Sequence, residues 1–121
     1  MDTTKAQAFA QAWVTAWNRH DIDEILSHYA EDFEMTSPFI SERTEGKTST
    51  LYGKKAVGDY WIAALQRFPE LHFELLDVLT SRNSLVIYYK SVMDKMAAEI
   101  FVFDECGKVV KSIAHYREAS A

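Results

Sequence analysis

A chain of 121 residues is long enough to bury one hydrophobic core without disulfide or metal staples, so residues 1–121 are read as one domain. Eighteen acidic against 13 basic residues leave a net charge of −5, and no run of Lys or Arg is present that could track phosphates, which argues against a nucleic-acid surface. No apolar run approaches the ~20 residues of a membrane span, the opening MDTTKAQAF lacks the apolar core of a signal peptide, and the lone Cys106 has no internal disulfide partner; together these point to a soluble cytoplasmic protein.

From Thr3 to about Arg19, Phe9, Trp13, Ala16 and Trp17 recur at helical spacing and predict an amphipathic helix with two indoles on its buried stripe. Asp21 is placed to cap a second helix, with Glu24 at the capping-box position and Ile22, Ile25, Leu26 and Tyr29 inward. Phe33 to Ser37 alternates as a short strand, which Pro38 ends by withholding a backbone donor. Residues 41–50, SERTEGKTST, have no period and predict a surface loop. A third helix follows Gly53, carrying Val57, Tyr60, Trp61, Ala64, Leu65 and Phe68 on one stripe and stopped by Pro69.

Beyond Leu71 the pattern becomes that of strands, with turns at Arg82–Asn83, Asp94–Lys95 and Glu105–Gly107. This predicts a four-strand antiparallel meander behind three helices, an α+β architecture with the helices on one face of a curved sheet. With two-residue turns in the first two hairpins, Phe73, Leu75, Asp77 and Leu79 share the inner face with Val86, Tyr88, Lys90 and Val92, with Glu99, Phe101 and Phe103, and with Val110, Ser112, Ala114 and Tyr116. The opposite face then collects Leu76, Val78, Ile87, Tyr89, Ile100, Val102, Ile113 and His115. It is too apolar for water, and a second copy of the chain is its natural cover.

Glu99 stands out as an acid in a row of apolar neighbours, and an ionised carboxylate there must be paired, protonated or set beside a wet cavity. The register admits two readings: a cross-strand ion pair with Lys90, or a cavity acid with a raised pKa that donates or shuttles protons. Trp13, Trp17, Phe33, Met35, Tyr60, Trp61 and Phe101 are core residues that would also wall any cavity, while Ser37, Tyr88, Lys90, Ser112 and Tyr116 would supply its polar atoms. His28 is expected to contact Glu24 on the surface, and His72 and His115 to point outward. No set of histidines or acids converges as metal ligands do, so no metal is expected.

The phrases AWNRHDIDEILSHYAEDFEMTSP, GKKAVGDYW and EIFVFDECGKVVKSIAHY, with their spacing, resemble the nuclear transport factor two-like superfamily, the cone-shaped cystatin-like α+β fold that includes ketosteroid isomerases and SnoaL-like polyketide cyclases. The resemblance implies a conical pocket between helices and sheet, in a homodimer built sheet to sheet. It also implies functional positions, since ketosteroid isomerase uses an ionised Asp as base and an oxyanion hole of Tyr and protonated Asp. The position of the protonated acid is Glu99 here, that of the tyrosine is Trp13, and that of the base is Ser37, which cannot hold a proton taken from carbon. Two functions stay open: a cofactor-independent isomerase, cyclase or hydrolase moving protons on a small apolar, oxygen-bearing molecule, or a non-catalytic binding module or partner subunit.

Overall fold

The computed structural model describes residues 1–117, and the chain order is α1 (Thr3–Asn18), α2 (Ile22–Leu26), β1 (Tyr29–Thr36), α3 (Pro38–Arg43), β2 (Thr50–Tyr52), α4 (Gly53–Arg67), β3 (Glu74–Thr80), β4 (Ser84–Lys90), β5 (Met96–Phe103) and β6 (Val109–Arg117). A short 3₁₀ turn, Val92–Asp94, joins β4 to β5. The strands form one sheet in the order β2-β1-β6-β5-β4-β3, in which every neighbouring pair is antiparallel except β1 and β6. The architecture is α+β, with helices packed on one face of a mixed, mostly antiparallel sheet.

Local chemistry sets the helix ends. Asp2 accepts the backbone N–H of Lys5 at 2.8 Å and starts α1, and Asp21 accepts that of Glu24 at 3.1 Å and starts α2, satisfying donors that a helix cannot pair internally. At the far end of α1, the Asn18 amide donates to the Phe73 carbonyl at 3.0 Å while its oxygen accepts the Phe73 N–H at 2.6 Å. One side chain thus fixes the helix against the segment entering β3. His20 adds a contact to the Leu71 carbonyl at 2.9 Å.

Three sequence expectations change in the first half. Tyr29, assigned to the inner face of α2, instead opens β1, because α2 already ends at Leu26 and the chain turns extended to pair Tyr29 with Val109. Pro38 does not merely end the strand: it occupies the first turn of α3, where a missing N–H costs nothing, and the Ser37 hydroxyl caps this helix by accepting the Phe39 N–H at 3.2 Å. The aperiodic stretch 41–50 therefore begins inside a helix and ends in β2, whose Thr36–Thr50 hydroxyl contact of 2.8 Å ties it to β1.

The second half carries the larger correction, a three-residue shift of β4 against β5 that puts Ile87 rather than Lys90 opposite Glu99. The connection from β4 to β5 spans Ser91–Lys95, with Met93 and Asp94 at φ of 56° and 57°, and pairs Ile87 with Glu99 and Lys90 with Met96. A slip by an odd number of residues reverses every side chain of a strand. Leu85, Ile87 and Tyr89 are consequently buried, while Val86, Tyr88 and Lys90 face away from the helices. In β3 a bulge between Leu75 and Asp77 brings Val78 onto the core and turns Asp77 and Leu79 outward. A second bulge, between Val102 and Phe103, places Val109 rather than Val110 in the core.

Trp13 sits at the centre of this core. Its ring lies across Phe73 at 5.7 Å and meets Tyr89 and Phe101 edge-on, both at 5.3 Å. Trp61 on α4 packs against Tyr29 and Phe33 of β1. These aromatic contacts hold α1 and α4 against the inner face of the sheet.

Candidate active site around a buried carboxyl

Strand β5 runs through the middle of the sheet, and its alternation turns Ala97, Glu99 and Phe101 toward the helices. Glu99 is 3% exposed. The Ser112 hydroxyl on β6 donates to its Oε2 at 2.7 Å, and the Tyr89 hydroxyl on β4 donates to its Oε1 at 3.1 Å. Burial drives the Glu99 pKa up from 4.5 to about 7, and the two hydroxyl donors, Ser112 and Tyr89, hold it back. A pKa in this range lets both the acid and the carboxylate be populated near neutral pH, the condition in which one group can both give and take a proton.

Lys90 is not its partner. It lies on the outer face beside Glu74 and Met96, as the slip of β4 requires, so the cross-strand ion pair anticipated for Glu99 does not form. Tyr88 leaves the site for the same reason, and Tyr89 takes its place. Sequence contained a signal for this: Leu85, Ile87 and Tyr89 form an unbroken apolar alternate set, whereas the competing set ends in Lys90.

Glu99 faces a cavity of ≈ 320 Å³ whose wall includes Trp13, Trp17, Met35, Ser37, Tyr60, Trp61, Phe73, Tyr89 and Tyr116. Among the residues expected at a pocket, Trp13, Trp17, Met35, Ser37, Tyr60, Trp61 and Tyr116 are thus brought together with Glu99. Phe33, Phe101 and Ser112 are fully buried behind that wall, where Ser112 acts on the carboxyl rather than on cavity contents. Residues not anticipated there include Phe68 and Leu71 near the end of α4, Ser91, Val92, Met93 and Lys95 from the β4–β5 connection, and Arg43 and Arg67. They come from the last residues of α3 and α4 and from the connections after α4 and β4, none of which share a period.

The polar groups form a connected patch. Tyr116 interacts with both Tyr89 and Ser37, and Ser37 also with Tyr60, so hydroxyls run from the carboxyl along the cavity wall. Burial raises the pKa of Tyr60, Tyr89 and Tyr116, most strongly for the last two, and keeps all three as neutral donors. The indole N–H of Trp13 is committed, donating to the Tyr29 hydroxyl at 2.9 Å, and is not free for a ligand. That of Trp17 is different: it is buried, with no acceptor among the described residues, an arrangement that costs about 1–3 kcal/mol unless something else accepts it. Ser112→Ala should raise the Glu99 pKa above about 7, because it removes a donor that favours the charged form; carbon-13 NMR titration of the side-chain carboxyl reads the shift.

His28 lies apart from this cavity, against the Phe9 ring at 5.3 Å, and burial lowers its pKa more than Glu24 raises it. The described residues contain no group of three or more His, Cys, Asp or Glu arranged to hold a metal ion, and no helix among them is long and apolar enough to cross a membrane.

Residues 10–112 match the family model of the SnoaL-like domain, and the chain belongs to that family. A SnoaL-like protein of unknown function from Burkholderia thailandensis is 43% identical, with a TM-score of 0.93 over 98% of this chain and 99% of that one. A candidate isomerase of the SnoaL-like family from Agrobacterium tumefaciens shares 16% identity and a TM-score of 0.77 over 96% of this chain and 100% of its own. A protein of unknown function with a cystatin-like fold from Methylobium petroleophilum gives 11% and 0.77 over 100% and 81%. The last two likenesses concern the fold alone. No curated protein matches the sequence.

Proposed function

We infer that the cavity receives a small apolar, oxygen-bearing molecule and that Glu99 moves a proton on it without a cofactor. The observation that carries this reading is a carboxyl with a pKa of about 7 facing an aromatic cavity, held by two hydroxyls and, among the described residues, by no cation. The ionised carboxylate would take a proton from carbon beside a carbonyl, leaving an enolate. The carboxylic acid so formed would return the proton at a second position, which regenerates the starting form. The enolate oxygen needs donors, and the hydroxyl-bearing Tyr60 and Tyr116 line the same space.

The test uses 2-tetralone, a compact aromatic ketone, in heavy water, with deuterium uptake beside the carbonyl followed by proton NMR. Wild type should accelerate exchange over buffer, and Glu99→Gln should return it to the buffer rate. Equal exchange with both proteins, or none with either, would remove the catalytic role.

One observation favours a second reading, a non-catalytic binding module. Ser37 carries no carboxylate and is already occupied as the cap of α3, so Glu99 is without a second acid on the cavity wall at that position. Binding of 2-tetralone without exchange would support that alternative.

Two further features belong to the proposal. The outer face of β3–β6 carries a row, Val86–Ile100–Ile113, set side by side by the strand register, with Leu76 at 39% and Leu79 at 56% exposure beside it. This face would join two chains around a two-fold axis. Sedimentation at micromolar concentration should give a dimer, and Ile100→Lys a monomer; a wild-type monomer would contradict the assembly. The exposed free thiol of Cys106 fits a reducing cytoplasm as the working compartment.

A further inference from the structure

We propose that the molecule taken into this cavity is an anion, an apolar body bearing a carboxylate or a group of like charge held at the rim by Arg43 and Arg67. The inference rests on the ligand-binding reading above and adds the charge of the ligand.

Among the described residues the rim has the opposite sign to the chain: three cations, Arg43, Arg67 and Lys95, line the cavity against one acid other than Glu99, namely Glu42, although acids outnumber bases 18 to 13 in the sequence. Each cation lies over an aromatic ring: Arg43 over Tyr60 at 5.8 Å, Arg67 over Phe68 at 5.4 Å and Lys95 over Phe39 at 5.1 Å. All three rings line the cavity. Stacking of this kind spends the face of the guanidinium and leaves its edge N–H donors available, the edge that pairs with a carboxylate. Neither Arg43 nor Arg67 forms an ion pair among the described residues, and both are exposed.

A purely structural account places these arginines in the last turns of α3 and α4, where a cation complements the helix dipole. That account explains a cation at each helix end. It does not explain why both side chains return over rings of one cavity wall. The rest of the wall is suited to the other end of such a ligand: apolar rings for its body, and tyrosine hydroxyls for an oxygen. Glu99 lies buried within and would repel a carboxylate, which orients the charged end outward.

The test compares 2-naphthoate with 2-naphthamide, nearly the same shape with and without charge, by titration calorimetry at low salt. Wild type should bind the naphthoate roughly ten-fold more tightly, the scale of one charge-assisted contact. The preference should shrink toward parity in Arg43→Gln/Arg67→Gln, with naphthamide affinity unchanged, and should weaken in wild type at high salt. Because both arginines are exposed, the variant should unfold near the wild-type temperature, and a circular-dichroism melt checks that it is folded. Equal affinity for the two probes overturns the anion inference while leaving the cavity reading in place. A naphthoate preference that survives in the double variant overturns the role of the arginines. Failure of both probes to bind overturns the inference together with the ligand reading on which it rests.

Discussion

Glu99→Gln should make the protein more stable at pH 8 and leave it nearly unchanged at pH 4. The folded-state pKa of about 7 lies above the ordinary carboxyl value of 4.5, so the folded chain binds a proton more tightly than the unfolded one. The stability that this protonation supports is fully present below the unfolded pKa and is lost as pH rises through about 7. A shift of that size corresponds to about 3 kcal/mol between the two limits. The uncharged amide keeps the shape, can still accept the Ser112 hydroxyl and escapes the penalty of burying an anion. Thermal unfolding of the two proteins across this range is the measurement, with a gap on the order of 10 °C at the alkaline end. Parallel pH profiles would mean that Glu99 is paired or solvated, and the proton-transfer proposal would lose its support.

Trp13→Ala should cost about 3–5 kcal/mol, enough to leave a marginal domain partly unfolded. Trp13 is 0% exposed and touches Trp17, Phe73, Tyr89 and Phe101, so its removal separates α1 from the segment entering β3, from β4 and from β5 at once. Trp13→Phe separates packing from hydrogen bonding. It keeps an aromatic ring but withdraws the N–H donated to the buried Tyr29 hydroxyl, and about 1–3 kcal/mol is expected for that loss. Urea denaturation of both variants measures the two contributions. Similar small losses for each would show that the tryptophan is a wall of the cavity and not a support of the fold.

Sequence was most informative where one residue type has one physical use. Asp21 before Ile22 could only be read as a cap, and it accepts the Glu24 N–H as expected. The stripe of Phe9, Trp13 and Trp17 required a buried helix face, and these rings do pack on one another and on the sheet. Glu99 was conspicuous because an acid among apolar alternates has few inexpensive environments. Pro38 was ambiguous, since proline is compatible both with the end of a strand and with the first turn of a helix, and the structure uses it for both.

The partner of Glu99 could not be read in the same way. Whether Lys90 or Tyr89 faces it depends on the length of the Ser91–Lys95 connection, which is set by the left-handed backbone of Met93 and Asp94, neither of them a glycine. The bulge near Leu76 similarly reverses Asp77, and nothing in the local composition marks it. Residues joining the cavity from separate places, Arg43 and Arg67 at helix ends and Lys95 from the β4–β5 connection, have no pattern in common along the chain.

By itself, then, the sequence determined the long helices, the four C-terminal strands, the Asp21 cap, the aromatic core and the one acid that had to be accommodated inside it. These follow from local preference and from the cost of burial, which each residue carries wherever it goes. Only the tertiary structure decided what meets that acid, two hydroxyls in place of a lysine, and what rings the cavity mouth. Those outcomes depend on strand register and loop paths, where a single residue more or less exchanges one face of the sheet for the other.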